Sequence, residues 1–87
     1  MKKFEFSFSC RWASKANAAM EECKDIMPGY EYDLHQTDTN AWVLEVDEMD
    51  YLYDEEARAA FDCLMDSICT TLELAGIPRD EFEISEN

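Results

Sequence analysis

Phe4, Phe6, Phe8, Cys10 and Trp12 alternate with Glu5, Ser7, Ser9 and Arg11 near the start of the chain. A period of two with aromatics on one side specifies a strand with one face buried. That face is too large and too apolar to stay wet, so the rest of the chain must supply a layer to cover it. With 87 residues the chain makes one domain, residues 1–87, with one small core.

The covering layer is legible further along. Ser14 is placed to cap a helix running to about Met27. Its apolar stripe is Ala16, Met20, Cys23 and Met27, flanked by Ala19 and Ile26, and Pro28-Gly29 stops it. A second strand is expected from about Tyr30 to Thr37, with Tyr30, Tyr32 and Leu34 inward and Glu31, Asp33 and His35 outward. The polar turn Thr37–Asn40 then leads into a third strand from Ala41 to about Asp47. Trp42, Leu44 and Val46 face in; Val43, Glu45 and Asp47 face out. Glu48 to Tyr53 reads as an acidic connection. Asp54 is the expected N-cap of a long second helix, with Glu55 and Glu56 in its first turn. Ala57, Phe61, Leu64, Ile68, Leu72 and Ala75 follow at spacings of three and four, and Gly76 and Pro78 end the helix. A last strand is expected from Glu81 to Ser85, with Phe82 and Ile84 inward. The order βαββαβ predicts an α+β ferredoxin-like sandwich: a four-stranded antiparallel sheet with two helices on one face and strands one and three central.

Charge is the second constraint. The chain carries a formal charge of −14. Twenty-one acids spread evenly over the surface expected at this size would stand about 16 Å apart. The Debye length at physiological salt is about 8 Å, so only clustering produces a strong local field. The acids do cluster. No Lys or Arg lies between Asp25 and Ala57, and seven of the twelve residues from Glu45 to Glu56 are acidic. Phosphates would repel such a chain, so direct binding to nucleic acid or anionic lipid is not expected, and the natural partners are basic proteins. The expected contact set is Glu31, Asp33, Glu45, Asp47, Glu48, Asp50, Tyr51, Tyr53, Asp54, Glu55 and Glu56. Within the connection, Leu52 is expected to be buried and Tyr51 exposed.

Alternation also puts Glu5, Glu31, Asp33, Glu45, Asp47, Glu81 and Glu83 on the open face of the sheet, as a lattice of carboxylates. An RNA-recognition sheet needs outward aromatics and surrounding bases, and this pattern supplies neither. Glu55, Asp62, Asp66 and Glu73 form a ridge along the second helix. Ala59, Cys63, Ser67, Thr70 and Leu74 form an outward row that a second copy could pack against, so a homodimer is compatible with the sequence.

No enzyme motif is present. His35, the only histidine, takes an outward strand position and reads as a solvated residue rather than a general base. Ferredoxin-like acylphosphatases bind an anion after the first strand. Arg11 and Lys15 are suitably placed, but the loop from Cys10 to Lys15 has no glycine for a phosphate cradle. Asp47, Glu48 and Asp50 lack the spacing of an EF-hand loop. Cys10, Cys23, Cys63 and Cys69 form no Cys-x-x-Cys pair. They read as reduced thiols of a cytoplasmic protein, with Cys10 and Cys23 inward and no metal or cofactor expected. Met-Lys-Lys resembles the start of a signal peptide, but Glu5 breaks any apolar run.

In size, charge and element order the whole chain resembles the small, very acidic phage proteins that act as nucleic-acid mimics, among them ferredoxin-like anti-CRISPR proteins. The resemblance implies an inhibitor that occupies a basic DNA-binding groove of a CRISPR effector in the host cytoplasm. It involves no sequence motif and transfers no residue role. The competing expectation from the residues is a regulatory interaction module, dimeric or not, that binds another basic protein. An acidic domain without a charge-dependent partner and a small-molecule enzyme come after these.

Overall fold

The computed structural model describes residues 2–25 and 32–86. Its elements, in order, are β1 (Lys2–Phe8), a 3-10 turn (Cys10–Trp12), α1 (Ala13–Lys24), β2 (Tyr32–Asp38), β3 (Ala41–Val46), α2 (Glu48–Tyr53), α3 (Glu55–Leu74), a second 3-10 turn (Arg79–Glu81) and β4 (Phe82–Glu86). The protein is α+β, with one four-stranded sheet in the order β2-β3-β1-β4 and every neighbouring pair antiparallel. The element order departs from a plain βαββαβ. Residues Glu48–Tyr53, expected as a connection, form a separate helix, and the last strand starts one residue later than expected.

The two central strands are β1 and β3, as expected, and β1 carries the aromatic face. It pairs Phe4 with Leu44 and Phe6 with Trp42 on one side, and Phe6 with Ile84 and Phe8 with Phe82 on the other. Phe4, Phe6, Phe8, Leu34, Trp42, Leu44, Val46 and Phe82 are buried in one cluster with Ala16, Met20 and Cys23 of α1 and Phe61, Leu64, Ile68 and Leu72 of α3. The aromatic face of the sheet is therefore covered by the apolar stripes of both long helices.

The alternation in sequence runs to Trp12, but the strand stops at Phe8. Asn40 ends it. The Phe8 amide donates to the Asn40 carbonyl at 2.9 Å, and the Asn40 side-chain amide donates to the Phe8 carbonyl at 2.7 Å. Past that point β3 offers no further partner, and the chain turns as the Trp12 amide donates to the Ser9 carbonyl. Cys10 is consequently exposed rather than inward, and Trp12 is half-buried. The helix then starts at Ala13, with Trp12 at its N-cap and no side-chain cap. Ser14 lies in the first turn instead of capping it. The expected ends at Ile26, Met27, Pro28, Gly29, Tyr30 and Glu31 lie outside the described residues.

Two local devices set the helices against the sheet. Trp42 is buried, and its indole N–H donates to Asn17 Oδ1 at 2.9 Å; the Asn17 amide in turn donates to the Thr39 carbonyl at 2.9 Å. One α1 side chain thus satisfies a buried donor and ties the helix to the β2–β3 turn. At the far end of α3 the Ile77 amide donates to the Leu72 carbonyl and the Gly76 amide to the Glu73 carbonyl. Gly76 has φ of +92°, the left-handed geometry that this terminating motif requires. Leu72 and Ile77 are both buried, which supplies the apolar contact of the motif. Among the described residues no helix is long and apolar enough to cross a membrane.

The Asn17–Trp42 bond is testable. Asn17→Ala leaves the indole donor buried without its partner and should destabilise the fold by about 1–3 kcal/mol. Urea denaturation followed by tryptophan fluorescence measures it, with a lowered midpoint and an unchanged slope expected.

Candidate functional site

The expected contact residues fall in two separate places. Asp33 and Glu45 lie opposite each other on β2 and β3, on the sheet face away from the helices. Asp47, Glu48, Asp50, Tyr51, Tyr53, Asp54, Glu55 and Glu56 lie on α2 and its junction with α3. Glu31 is outside the described residues.

The second group is built on two aspartate caps. Asp47 Oδ1 accepts from the amides of Met49 and Asp50 at 2.9 and 3.1 Å, and starts α2. Asp54 Oδ1 accepts from the amides of Glu56 and Ala57 at 3.0 and 3.1 Å, and starts α3 as the sequence predicts. Each carboxylate satisfies helix-end donors that would otherwise lack partners. Asp47 is thus not an open-face strand residue. Its role is structural, which the sequence pattern did not separate from the surrounding surface acids.

The orientation of α2 reverses two expectations. Tyr51 turns inward: it is half-buried, its ring edge-on to Phe61 at 5.2 Å and tilted against Phe4 at 5.6 Å. Leu52 turns outward and is 53% exposed. With Met49 at 65% and Tyr53 at 74% it forms an apolar triplet at helical spacing, facing solvent. Glu48, Asp54, Glu55 and Glu56 flank the triplet along the chain and are exposed, and Leu52, Tyr53, Asp54 and Glu55 line one shallow groove with Arg58. Only one side of so short a helix can meet the core, and the Tyr51 ring takes that place between Phe4 and Phe61.

Folding also brings cations to the acidic stretch. The Arg58 guanidinium lies 4.2 Å from the Tyr51 ring centroid and 3.5 Å from Asp62. Lys2 lies 5.6 Å from the same ring and pairs with Glu86 at 2.6 Å. The hydrogen bond to Glu86 is the main reason the Lys2 ammonium is held above its ordinary pKa, with the charges of Glu86, Tyr51 and Glu48 adding to it. The stretch without a positive charge in sequence is therefore not a surface without one.

The open sheet face is a mixed surface, not a uniform carboxylate lattice. Glu5, Asp33, Glu45 and Glu83 occupy outward strand positions. Lys3 is 3.6 Å from Glu45, and Ser7 donates to Glu5. Glu81 belongs to the 3-10 turn, not to the sheet. Val43 faces outward as expected yet is buried, at a position paired with Glu5 on one side and His35 on the other. The outward face carries no Phe, Tyr or Trp among the described residues. Arg11 and Lys15, the two candidate anion holders, lie over the Trp12 ring at 5.0 and 5.6 Å.

On α3 the ridge Glu55, Asp62, Asp66 and Glu73 is exposed, as is the row Ala59, Cys63, Ser67, Thr70 and Leu74. The thiols divide into two kinds. Cys10 and Cys63 are exposed. Cys23 is buried and Cys69 half-buried, and burial pushes both thiols above their ordinary pKa.

Comparisons with protein-family models, with curated proteins and with solved structures found no match.

The thiol division predicts reactivity, because the thiolate is the nucleophile. At pH 8 two thiols, Cys10 and Cys63, should react with a disulfide reagent in a fast phase. Cys23 and Cys69 should follow at least tenfold more slowly unless denaturant is added. Timed labelling and peptide mapping check the assignment.

Proposed function

We propose that this protein is a non-enzymatic, protein-binding inhibitor that occupies a basic nucleic-acid-binding surface. We place it among ferredoxin-like sandwiches, with α2 as an added helix. The observation that carries the functional reading is the α2 face: exposed Met49, Leu52 and Tyr53, flanked along the chain by exposed Glu48, Asp54, Glu55 and Glu56. Carboxylates there can replace phosphates as partners of Lys and Arg. The apolar triplet adds what a nucleic-acid backbone lacks, a patch able to exclude water at the centre of a protein interface. Of the two tyrosines in the expected contact set, Tyr53 is the exposed one and is taken as the aromatic anchor, since Tyr51 is half-buried. The class resemblance makes the DNA-binding groove of a CRISPR effector the first target to test.

The apolar triplet also supports a second reading. A regulatory module could use the same face against a basic protein that binds no nucleic acid. The two readings differ in one respect: only the first has the protein and nucleic acid exclude each other.

The test spares the capping aspartates. Glu48→Gln, Glu55→Gln and Glu56→Gln together remove three exposed charges and leave Asp47 and Asp54 to start the helices. Association with the effector should slow about tenfold at low salt, with less difference at high salt. Leu52→Ala with Tyr53→Ala should instead speed dissociation. Surface plasmon resonance resolves both, and far-UV circular dichroism checks the fold. Wild-type protein and target DNA binding the effector together would overturn nucleic-acid mimicry.

A further inference from the structure

The only histidine in the chain lies beside two carboxylates on paired strands. Asp33 and His35 are two residues apart on β2, so both side chains project from the same face of the sheet. Glu45 on β3 pairs directly with Asp33. His35 Nδ1 is 3.0 Å from Asp33 Oδ2 and 3.9 Å from Glu45 Oε2. One donor atom from each of the three lies within 4.8 Å of the other two.

We infer that Asp33, His35 and Glu45 form a binding site for a borderline divalent cation of the Zn²⁺ type. Two donors about 2.1 Å from one tetrahedral ion are separated by roughly 3.4 Å. Asp33 and His35, hydrogen-bonded at 3.0 Å, stand close to that spacing, so an ion that displaces the shared proton needs only a small opening of the pair, and rotation of the Glu45 side chain brings its carboxylate to the same ion. An imidazole with two carboxylates selects Zn²⁺ and its transition-metal neighbours over Mg²⁺ and Ca²⁺, which favour all-oxygen sites. Three protein ligands leave coordination positions open to water or to a partner's side chain. The ligands are strand residues in a paired register, which limits the rearrangement that binding requires. Lys3, 3.6 Å from Glu45, is the built-in competitor: its ammonium holds a carboxylate that the ion needs. A bound ion would link β2 to β3 and neutralise two carboxylates of the open face. The site is separate from the α2 face, and neither its argument nor its test depends on the function proposed for that face.

The experiment titrates the folded protein with Zn²⁺ alone, followed by the His35 imidazole NMR signals and by calorimetry. A single histidine makes those signals unambiguous, and they separate this site from uptake by the exposed thiols of Cys10 and Cys63. Binding should move the imidazole signals saturably at one equivalent, while Mg²⁺ at the same concentration leaves them in place. His35→Ala leaves the formal charge at −14 and so preserves any diffuse attraction of cations. It should nevertheless weaken the calorimetric affinity at least tenfold. Lys3→Gln leaves all three ligand residues in place, frees Glu45 from its competitor and should tighten binding, a gain that misfolding cannot produce. Imidazole signals unmoved by Zn²⁺, or a folded His35→Ala variant that binds Zn²⁺ as tightly as wild type, would overturn the site.

Discussion

The structure depends on the pairing of β1 on both edges. Its hydrogen bonds to β3 and β4 hold Phe4, Phe6 and Phe8 in one plane. That plane is what α1 and α3 cover, and the burial of its aromatics is the main apolar contribution available to so short a chain. The same strand places Lys3, Glu5 and Ser7 on the opposite face, because successive side chains point to opposite sides. Core and open surface are thus set together by one register. A one-residue slip would exchange them.

Concentrated negative charge opposes folding through self-repulsion, and the chain offsets it locally in three ways. Asp47 and Asp54 are used as helix caps, where a carboxylate is stabilised by backbone donors. Glu48, Glu55 and Glu56 sit in first turns, where the helix dipole favours an anion. Lys2, Lys3 and Arg58, all outside the acidic stretch in sequence, are folded against it. The α2–α3 junction nevertheless combines exposed carboxylates with the exposed apolar triplet of α2. That combination of exposed charge and exposed apolar area is the reason to look for a partner there and not evenly over the surface.

The open sheet face shows the opposite behaviour. Glu45, Glu5 and Asp33 are held by Lys3, Ser7 and His35, and Val43 is buried among them. These side chains order one another, so the face resembles a small polar layer more than a solvated charge field. The charge free to meet a partner is therefore smaller at Asp33 and Glu45 than at the α2–α3 junction, although all of them belong to the same acidic stretch in sequence.

The sequence alone determined what depends on local periodicity and local backbone chemistry. The inward set of β1 from Phe4 to Phe8, the stripe from Ala57 to Leu72, the Asp54 cap and the Gly76 stop are all readable, because each is decided by residues within a turn or two of one another. Tertiary structure decided the rest. Where β1 stops depends on Asn40, 32 residues away, so the alternation through Cys10 and Trp12 was no guide. Whether Tyr51 or Leu52 faces the core depends on the space left between Phe4 and Phe61, which no helical period encodes over six residues. The meeting of His35 with Glu45 needed the β2–β3 register, and the approach of Lys2 and Arg58 to Tyr51 needed β1, α2 and α3 brought together. A site assembled from distant segments is set by packing geometry, and packing geometry is a property of the folded chain rather than of any stretch of it.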